Sequence, residues 1–214
     1  MNDMKTLRPR ILAALAAAGL LGALAACNVA QPAQDDPTRY YVLSDGPAQA
    51  VQPQAPAGAR VGLRAVRLEG YLKHREIVVR TGENEVEFRD YRRWAEPLDA
   101  AITRVLKAGL LGSAQVSQVS TEPFPLDQER DYDVAVEVRA CEGAAGRSGS
   151  FGASFSAMVE VSTAGPSPRV VARRLFVAPG AAWDGRNFDR LASLLTADVS
   201  ALSQEILSEI PARN

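Results

Sequence analysis

Two runs, residues 132–140 and 151–161, alternate apolar and polar side chains so regularly that they constrain the fold more than any other part of the chain. In the first, Tyr132, Val134, Val136, Val138 and Ala140 share one face, and Asp133, Glu137 and Arg139 share the other, to which Cys141 also falls. In the second, Phe151, Ala153, Phe155, Ala157, Val159 and Val161 share a single face. Successive side chains of a strand point to opposite sides, so both runs read as strands with one buried face, joined by a turn over residues 142–148. An apolar sheet face must be covered by a second layer. Residues 187–210 supply a cover: Phe188, Leu191, Leu195, Val199, Leu202, Ile206 and Ile210 track one stripe of a long amphipathic helix, interrupted only by Asp198 and closed by Pro211. A second helix opens at Pro97, which suits a first turn because its missing N–H costs nothing there. Leu98, Ile102, Val105, Leu106 and Leu110 form its stripe, Arg104 and Lys107 favour its C-terminal dipole, and Gly109 and Gly112 mark its stop.

The remaining strands are shorter. Residues 39–44 are aromatic and β-branched, and residues 60–68 place Val61, Leu63 and Ala65 on one face. Residues 75–80 and 85–91 flank a hairpin loop in which Gly82 and Asn84 suit positive φ. Residues 69–74 read as a turn or short helical piece, 114–119 as a strand and 121–130 as a loop with two prolines. Residues 163–168 turn the chain into the last strand, 169–177, which is apolar on both sides in places, as a central strand would be. The order strands, helix, strands, helix predicts an α+β domain: a mostly antiparallel sheet with two main helices packed on one face.

The N-terminus has a different character. Lys5, Arg8 and Arg10 precede an almost wholly apolar run over residues 11–26. About sixteen residues is short for a membrane span, which needs about twenty, but fits the apolar core of a secretory signal peptide. Leu24-Ala25-Ala26-Cys27 resembles the bacterial lipobox, in which the cysteine thiol receives lipid and the chain is cut before it. The reading is therefore a signal peptide over residues 1–26, cleavage between Ala26 and Cys27, and S-diacylglycerol plus N-palmitoyl modification of Cys27. The bland alternative is an ordinary signal peptide that contains a cysteine. A single acyl chain anchors only marginally, at about 0.8 kcal/mol per buried methylene, so a three-chain lipid holds essentially permanently. Asn28, in place of an aspartate, leans towards the outer membrane. Residues 27–38 form a polar, proline-containing tether, residues 39–214 a single domain, and residues 45–58 within it a Pro/Ala/Gln loop.

Charge excludes some partners. Taking Lys5, Arg8, Arg10 and Asp3 from the 24 basic and 25 acidic residues leaves 21 against 24, so the mature chain is slightly acidic. There is no basic excess for nucleic acid and no polybasic patch for anionic lipid. With Cys27 lipidated, Cys141 stands alone, so no internal disulfide forms and Cys141 reads as a small, partly buried residue. No catalytic residue, cofactor-binding residue or metal ligand stands out. His74 is the lone histidine and sits between Lys73 and Arg75 in a polar turn, a surface position. No zinc, phosphate-loop or nucleophile-elbow motif is present. Gly149-Ser150-Phe151-Gly152 lies in a hairpin pattern. Glu83, Glu85 and Glu87 alternate as a solvated face does rather than as an acid/base pair.

Four segments in order resemble the ABC-type transport auxiliary lipoproteins of the PqiC/YmbA group. They are Tyr40-Tyr41-Val42-Leu43; Tyr71-Leu72 followed by Ile77-Val78-Val79-Arg80; Arg93-Trp94-Ala95-Glu96-Pro97-Leu98; and the C-terminal helix with Leu194-Leu195, Val199, Leu202 and Ile206. Departures occur at Glu69-Gly70 and Lys73-His74, where the family often has a proline and an acidic-basic pair. The resemblance implies a non-enzymatic lipoprotein facing the periplasm that works beside an MCE-domain protein and an ABC-type permease and ATPase. It would dock the outer-membrane end of a lipid conduit, support membrane integrity, and in some members form rings. Tyr40, Tyr41, Tyr71, Arg93, Trp94, Glu96 and Pro97 are the motif positions, each either a partner contact or a core residue. Trp94 beside Arg93 fits an interface anchor, and fits better a core residue pinning the helix entry. The readings from other classes are a structural or assembly lipoprotein of the envelope, and a hydrolase, which would need His74 in a cleft beside a nucleophile.

Overall fold

The structure, a computed structural model, describes residues 35–44, 58–146 and 149–211. The expectations for the signal peptide, Ala26, Cys27, most of the tether and most of the loop after Ser44 lie outside these residues. Residues Thr38–Asn214 make one compact unit.

The two alternating runs form the spine of the sheet. They are β7 (Tyr132–Ala145) and β8 (Phe151–Thr163), antiparallel along their whole length from Tyr132 opposite Thr163 to Ala145 opposite Phe151. On its far side β7 receives three short parallel strands in turn: β2 (Ala59–Leu63), β3 (Arg67–Leu68) and β4 (Glu76–Arg80). Beyond β2 lies β6 (Val116–Thr121), parallel to it. Beyond β4 lie β5 (Val86–Trp94), antiparallel, and β1 (Arg39–Tyr41), parallel to β5. Across β8 sit β9 (Val170–Val177) and β10 (Ala181–Trp183), both antiparallel. The described residues thus form one ten-stranded sheet whose long ladders are antiparallel and whose short ladders are mostly parallel.

Helices α1 (Leu98–Leu111) and α2 (Phe188–Glu209) pack on one face of this sheet and on each other. The predicted stripes are the buried ones: Leu98, Ile102, Val105, Leu106 and Leu110 from α1, and Leu191, Leu195, Val199, Leu202 and Ile206 from α2, meet Val134, Val136, Val138, Phe155, Ala157, Val159 and Val161 of the sheet. Asp198 is buried within the α2 stripe, and burial pushes its carboxyl up to about 6.

Several local expectations fail for identifiable reasons. Cys141 lies on the helix side, not beside Arg139, because a bulge at Arg139 shifts the register between Val138 and Ala140 and inverts every residue after it. Cys141 then faces Phe155 and is fully buried. Burial, with the charges of Asp198 and Glu142, pushes its thiol up, away from the reactive thiolate. The strand expected over 60–68 breaks after Leu63, where Arg64 N–H bonds the Val134 carbonyl and Ala65 N–H bonds Glu122, so Ala65 is exposed and Val66 is buried. β7 continues to Ala145, past the expected start of the turn. The hairpin after β4 closes through Thr81 and Gly82 N–H groups on the Glu85 carbonyl, with no positive φ at Gly82 or Asn84. The strand 169–177 is neither central nor last. β9 pairs β8 alone, leaves Val171, Leu175 and Val177 exposed, and is followed by β10.

Both helix ends of α1 are also corrected. Pro97 is the N-cap rather than a first-turn residue, and Arg104 leaves the dipole to reach Glu96. Gly109 is inside the helix, not at its stop. A Cβ there would sit 2.7 Å from Ser203 Cβ on α2, so the glycine lets the two helices touch. Gly112 is the C-cap.

Candidate functional site

The family-like segments converge on one end of the sheet, where β1, the end of β5 and the first turns of both helices meet. β1 lies beside β5 with Arg39 opposite Arg92, Tyr40 opposite Arg93 and Tyr41 opposite Trp94. Alternation turns Tyr41 inward, its ring 6.1 Å from that of Phe188, and leaves Tyr40 58% exposed. Trp94 is buried, so the expected choice between core and partner anchor resolves to core. The turn that follows is tied on both sides. Ala95 N–H bonds the Tyr41 carbonyl at 2.8 Å. Arg104 of α1 donates to Glu96 at 2.6 Å and to the Leu43 carbonyl at 2.7 Å. Arg93 pairs with Glu76 of β4 at 3.2 Å. Arg93, Trp94, Glu96 and Pro97 therefore act as a joint that locks β1 to α1, with Trp94 as its apolar pin.

The start of α2 completes this end. Asn187 caps the helix by accepting from Arg190 N–H. Asp184 accepts from Arg186 N–H at 2.9 Å and Asn187 N–H at 2.7 Å, and these bonds hold its carboxyl below the usual range. Trp183 donates its indole N–H to the Asn187 carbonyl, and the rings of Phe151, Trp183, Phe188 and Tyr41 follow one another edge to face or tilted. Gly185 adopts φ +75°, and a Cβ there would meet the Phe151 ring.

Between β1 and α2 lies a groove of about 620 Å³ lined by Arg39, Tyr40, Val42, Arg92, Arg186 and Asp189 among others. The linear sequence holds no polybasic patch. Register and the α2 cap bring three arginines together that are far apart along the chain, and no local pattern could have found them.

Tyr71 is the motif residue that sits elsewhere. It lies in a 3-10 turn (Gly70–Lys73) beside the β7 bulge. Its hydroxyl donates to the Arg139 carbonyl at 2.9 Å and accepts from Arg80, whose guanidinium also bonds Glu142 at 2.6 Å. Burial, and then the Glu142 charge, push the Tyr71 hydroxyl up to about 12, so it stays a donor. The tyrosine thus satisfies a carbonyl at the point where the bulge disturbs the ladder. A second groove, of about 760 Å³, crosses the sheet's outer face between Arg64, Arg67, Glu137, Met158, Glu160 and Arg173.

His74 is exposed, meets the ring of Phe88 at 4.9 Å and lines a groove of about 500 Å³ with Arg67, Lys73, Arg75 and Asp99, in which no serine or cysteine stands beside it as the hydrolase reading needs. Among the described residues no group of His, Cys, Asp and Glu is placed to hold a metal ion, and no helix is long and apolar enough to cross a membrane.

The family model described as "ABC-type transport auxiliary lipoprotein component" matches residues 41–207. No curated protein sequence matches the chain. Among solved structures, a protein of Xanthomonas campestris is similar at TM-score 0.65 and 16% identity, over 79% of this chain and 93% of that one. A second, an uncharacterized protein, is similar at TM-score 0.61 and 20% identity, over 81% of this chain and 99% of that one. At such identities both show the fold.

Proposed function

The chain belongs to the ABC-type transport auxiliary lipoprotein component family, and from that premise we propose that it is a non-enzymatic, outer-membrane-anchored subunit of an MCE/ABC-type intermembrane lipid transport system. In this reading Cys27 carries the diacylglycerol and palmitoyl chains, and residues 27–38 tether the domain on the periplasmic side. The domain then docks the MCE-domain protein that reaches across from the permease and ATPase. The observation that carries the proposal is the family match over nearly the whole domain, behind the Leu24-Ala25-Ala26-Cys27 segment.

Two features of the fold support docking rather than chemistry. Apart from exposed Tyr40, the motif residues are spent on the joint between β1 and α1 and on the β7 bulge. Three of the exposed apolar residues, Val171, Leu175 and Val177, lie along the edge strand β9, whose outer side has no partner strand among the described residues and where an incoming strand could extend the sheet.

Affinity capture from solubilised membranes with the full chain tests the docking. The expected result is recovery of an MCE-domain protein. Capture that repeatedly brings down none, while the chain stays in the membrane fraction, ends the docking reading. The anchor is tested separately: Cys27→Ala should move the protein to the soluble fraction, and a variant that still sediments with outer membranes disproves lipidation at Cys27.

A further inference from the structure

We propose that the groove between β1 and the start of α2 binds the phosphate of anionic phospholipid headgroups in the membrane that holds the anchor; this rests on the lipid-anchor reading above. Arg39 and Arg92 are register partners on adjacent strands. Like charges directly opposite one another destabilise a ladder, and no carboxylate among the described residues pairs with either. Arg186, from the loop that caps α2, lines the same groove; it feels the charge of Asp184 but makes no ion pair among the described residues. Asp189 is the one carboxylate in the lining, so the groove keeps a positive excess. The contrast with the sheet's outer face is sharp: there Arg60, Arg64, Arg80 and Arg173 each have an acidic partner.

The geometry suits a phosphodiester. Arg92 lies over the Phe188 ring at 5.7 Å and gives one N–H to the Tyr91 carbonyl at 2.9 Å, which fixes its planar fork while leaving further donors for a ligand. A fixed guanidinium fork matches two phosphate oxygens. The rim adds Tyr40 and Val42, 58% and 52% exposed, the amphipathic and apolar types that sit at the level of headgroups. In the anchor reading Arg39 follows Cys27 by twelve residues, so the groove belongs to the part of the domain that the tether enters.

Vesicle co-sedimentation of the chain from Asn28 onward tests this without the lipid anchor. Every core residue lies in the compact unit from Thr38, so this chain keeps its whole core. Binding to phosphatidylcholine vesicles containing phosphatidylglycerol should exceed binding to phosphatidylcholine alone by at least about 10-fold, since each arginine near an anionic surface is worth about 5-fold. The combined Arg39→Gln, Arg92→Gln and Arg186→Gln variant should lose that preference. The matched Arg75→Gln, Arg139→Gln and Arg169→Gln variant, with equal charge removed elsewhere, should keep it. Far-UV circular dichroism and urea midpoints establish that both variants are folded, and Lys at the three groove positions should restore part of the preference. Equal binding to both vesicles, or equal loss in both triple variants, overturns the site. Binding of inorganic phosphate that the Arg39→Gln, Arg92→Gln and Arg186→Gln variant loses, together with no vesicle binding, makes the groove a free-phosphate site and overturns the lipid assignment. Because the tested chain carries no lipid, failure here leaves the Cys27→Ala result to judge the anchor by itself.

Discussion

The two faces of the sheet are built from the same strands and by opposite means. The inner face, under α1 and α2, is apolar almost throughout, and its pins are shape-filling: Trp94, Phe155, Ile102, Leu195. The outer face carries no long helix among the described residues and is laced with charge. Arg60 meets Asp131 and Glu129, Arg130 and Arg64 meet Asp133, Arg80 meets Glu142, and Arg173 meets Glu160. Pairs that reach water on both sides, such as Arg173 with Glu160, add little to stability. The buried carboxylates Asp133 and Glu142 need their arginines chiefly to offset their own burial, whereas burial of each large apolar side chain adds about 1.5–3 kcal/mol. Stability is therefore held on the inner face, and the outer face and its edges are left free to vary for recognition.

The sharpest way to break this comparison is Trp94→Ala. Removing a fully buried tryptophan should cost about 3–5 kcal/mol, read as a fall in the urea midpoint; a loss under about 1 kcal/mol would show that the joint is not part of the core. Arg80→Ala comes next. It strips the ion partner from Glu142, which is 1% exposed, and should cost about 2–3 kcal/mol, less than a fully enclosed pair because Arg80 itself reaches water. Adding Glu142→Gln to it should return part of the loss. If Arg80→Ala is silent, the Arg80–Glu142 pair adds nothing to stability.

Asp198 sharpens the comparison from the inside. Its carboxyl is raised to about 6 by burial, against about 3.9 in an unfolded chain. The native state thus holds the proton more tightly, and stability falls as pH rises from about 4 to about 6. Asp198→Asn should gain about 1–2 kcal/mol at pH 7.5, gain nothing near pH 4, and flatten the slope between. An unchanged slope would assign the pH dependence to other groups. The smallest effect is expected on the open edge: Val171→Ser with Leu175→Ser should shift stability by no more than about 0.5 kcal/mol, while lowering capture of the docking partner. A large destabilisation would mean that β9 belongs to the core after all.

Much of this was legible in the chain. The strands β7 and β8 and the stripes of both helices follow from periods of two and of three to four, since burial selects the apolar residue at each repeat. That only one of Tyr40 and Tyr41 is buried follows from the same alternation; that it is Tyr41 came from the structure. The errors share another origin. At Arg139 one extra residue inverts the parity of everything after it, so Cys141 and Glu142 exchange faces. At β9 a strand with apolar residues on both sides resembles a central one, yet what makes a strand central is a neighbour. Gly109 resembles a stop signal because the need for it, Ser203 on the other helix, lies far along the chain.

By itself, then, the sequence determined the long strands β7 and β8, the two helices and, as far as the bulge, which side of each seeks the core, because these depend on local period and composition. Only the tertiary structure decided which strands lie at the edges, that Trp94 is enclosed, that Tyr71 closes the bulge, and that Arg39, Arg92 and Arg186 stand around one groove. Those outcomes depend on register and on contacts between residues distant in the chain, which local propensity does not encode.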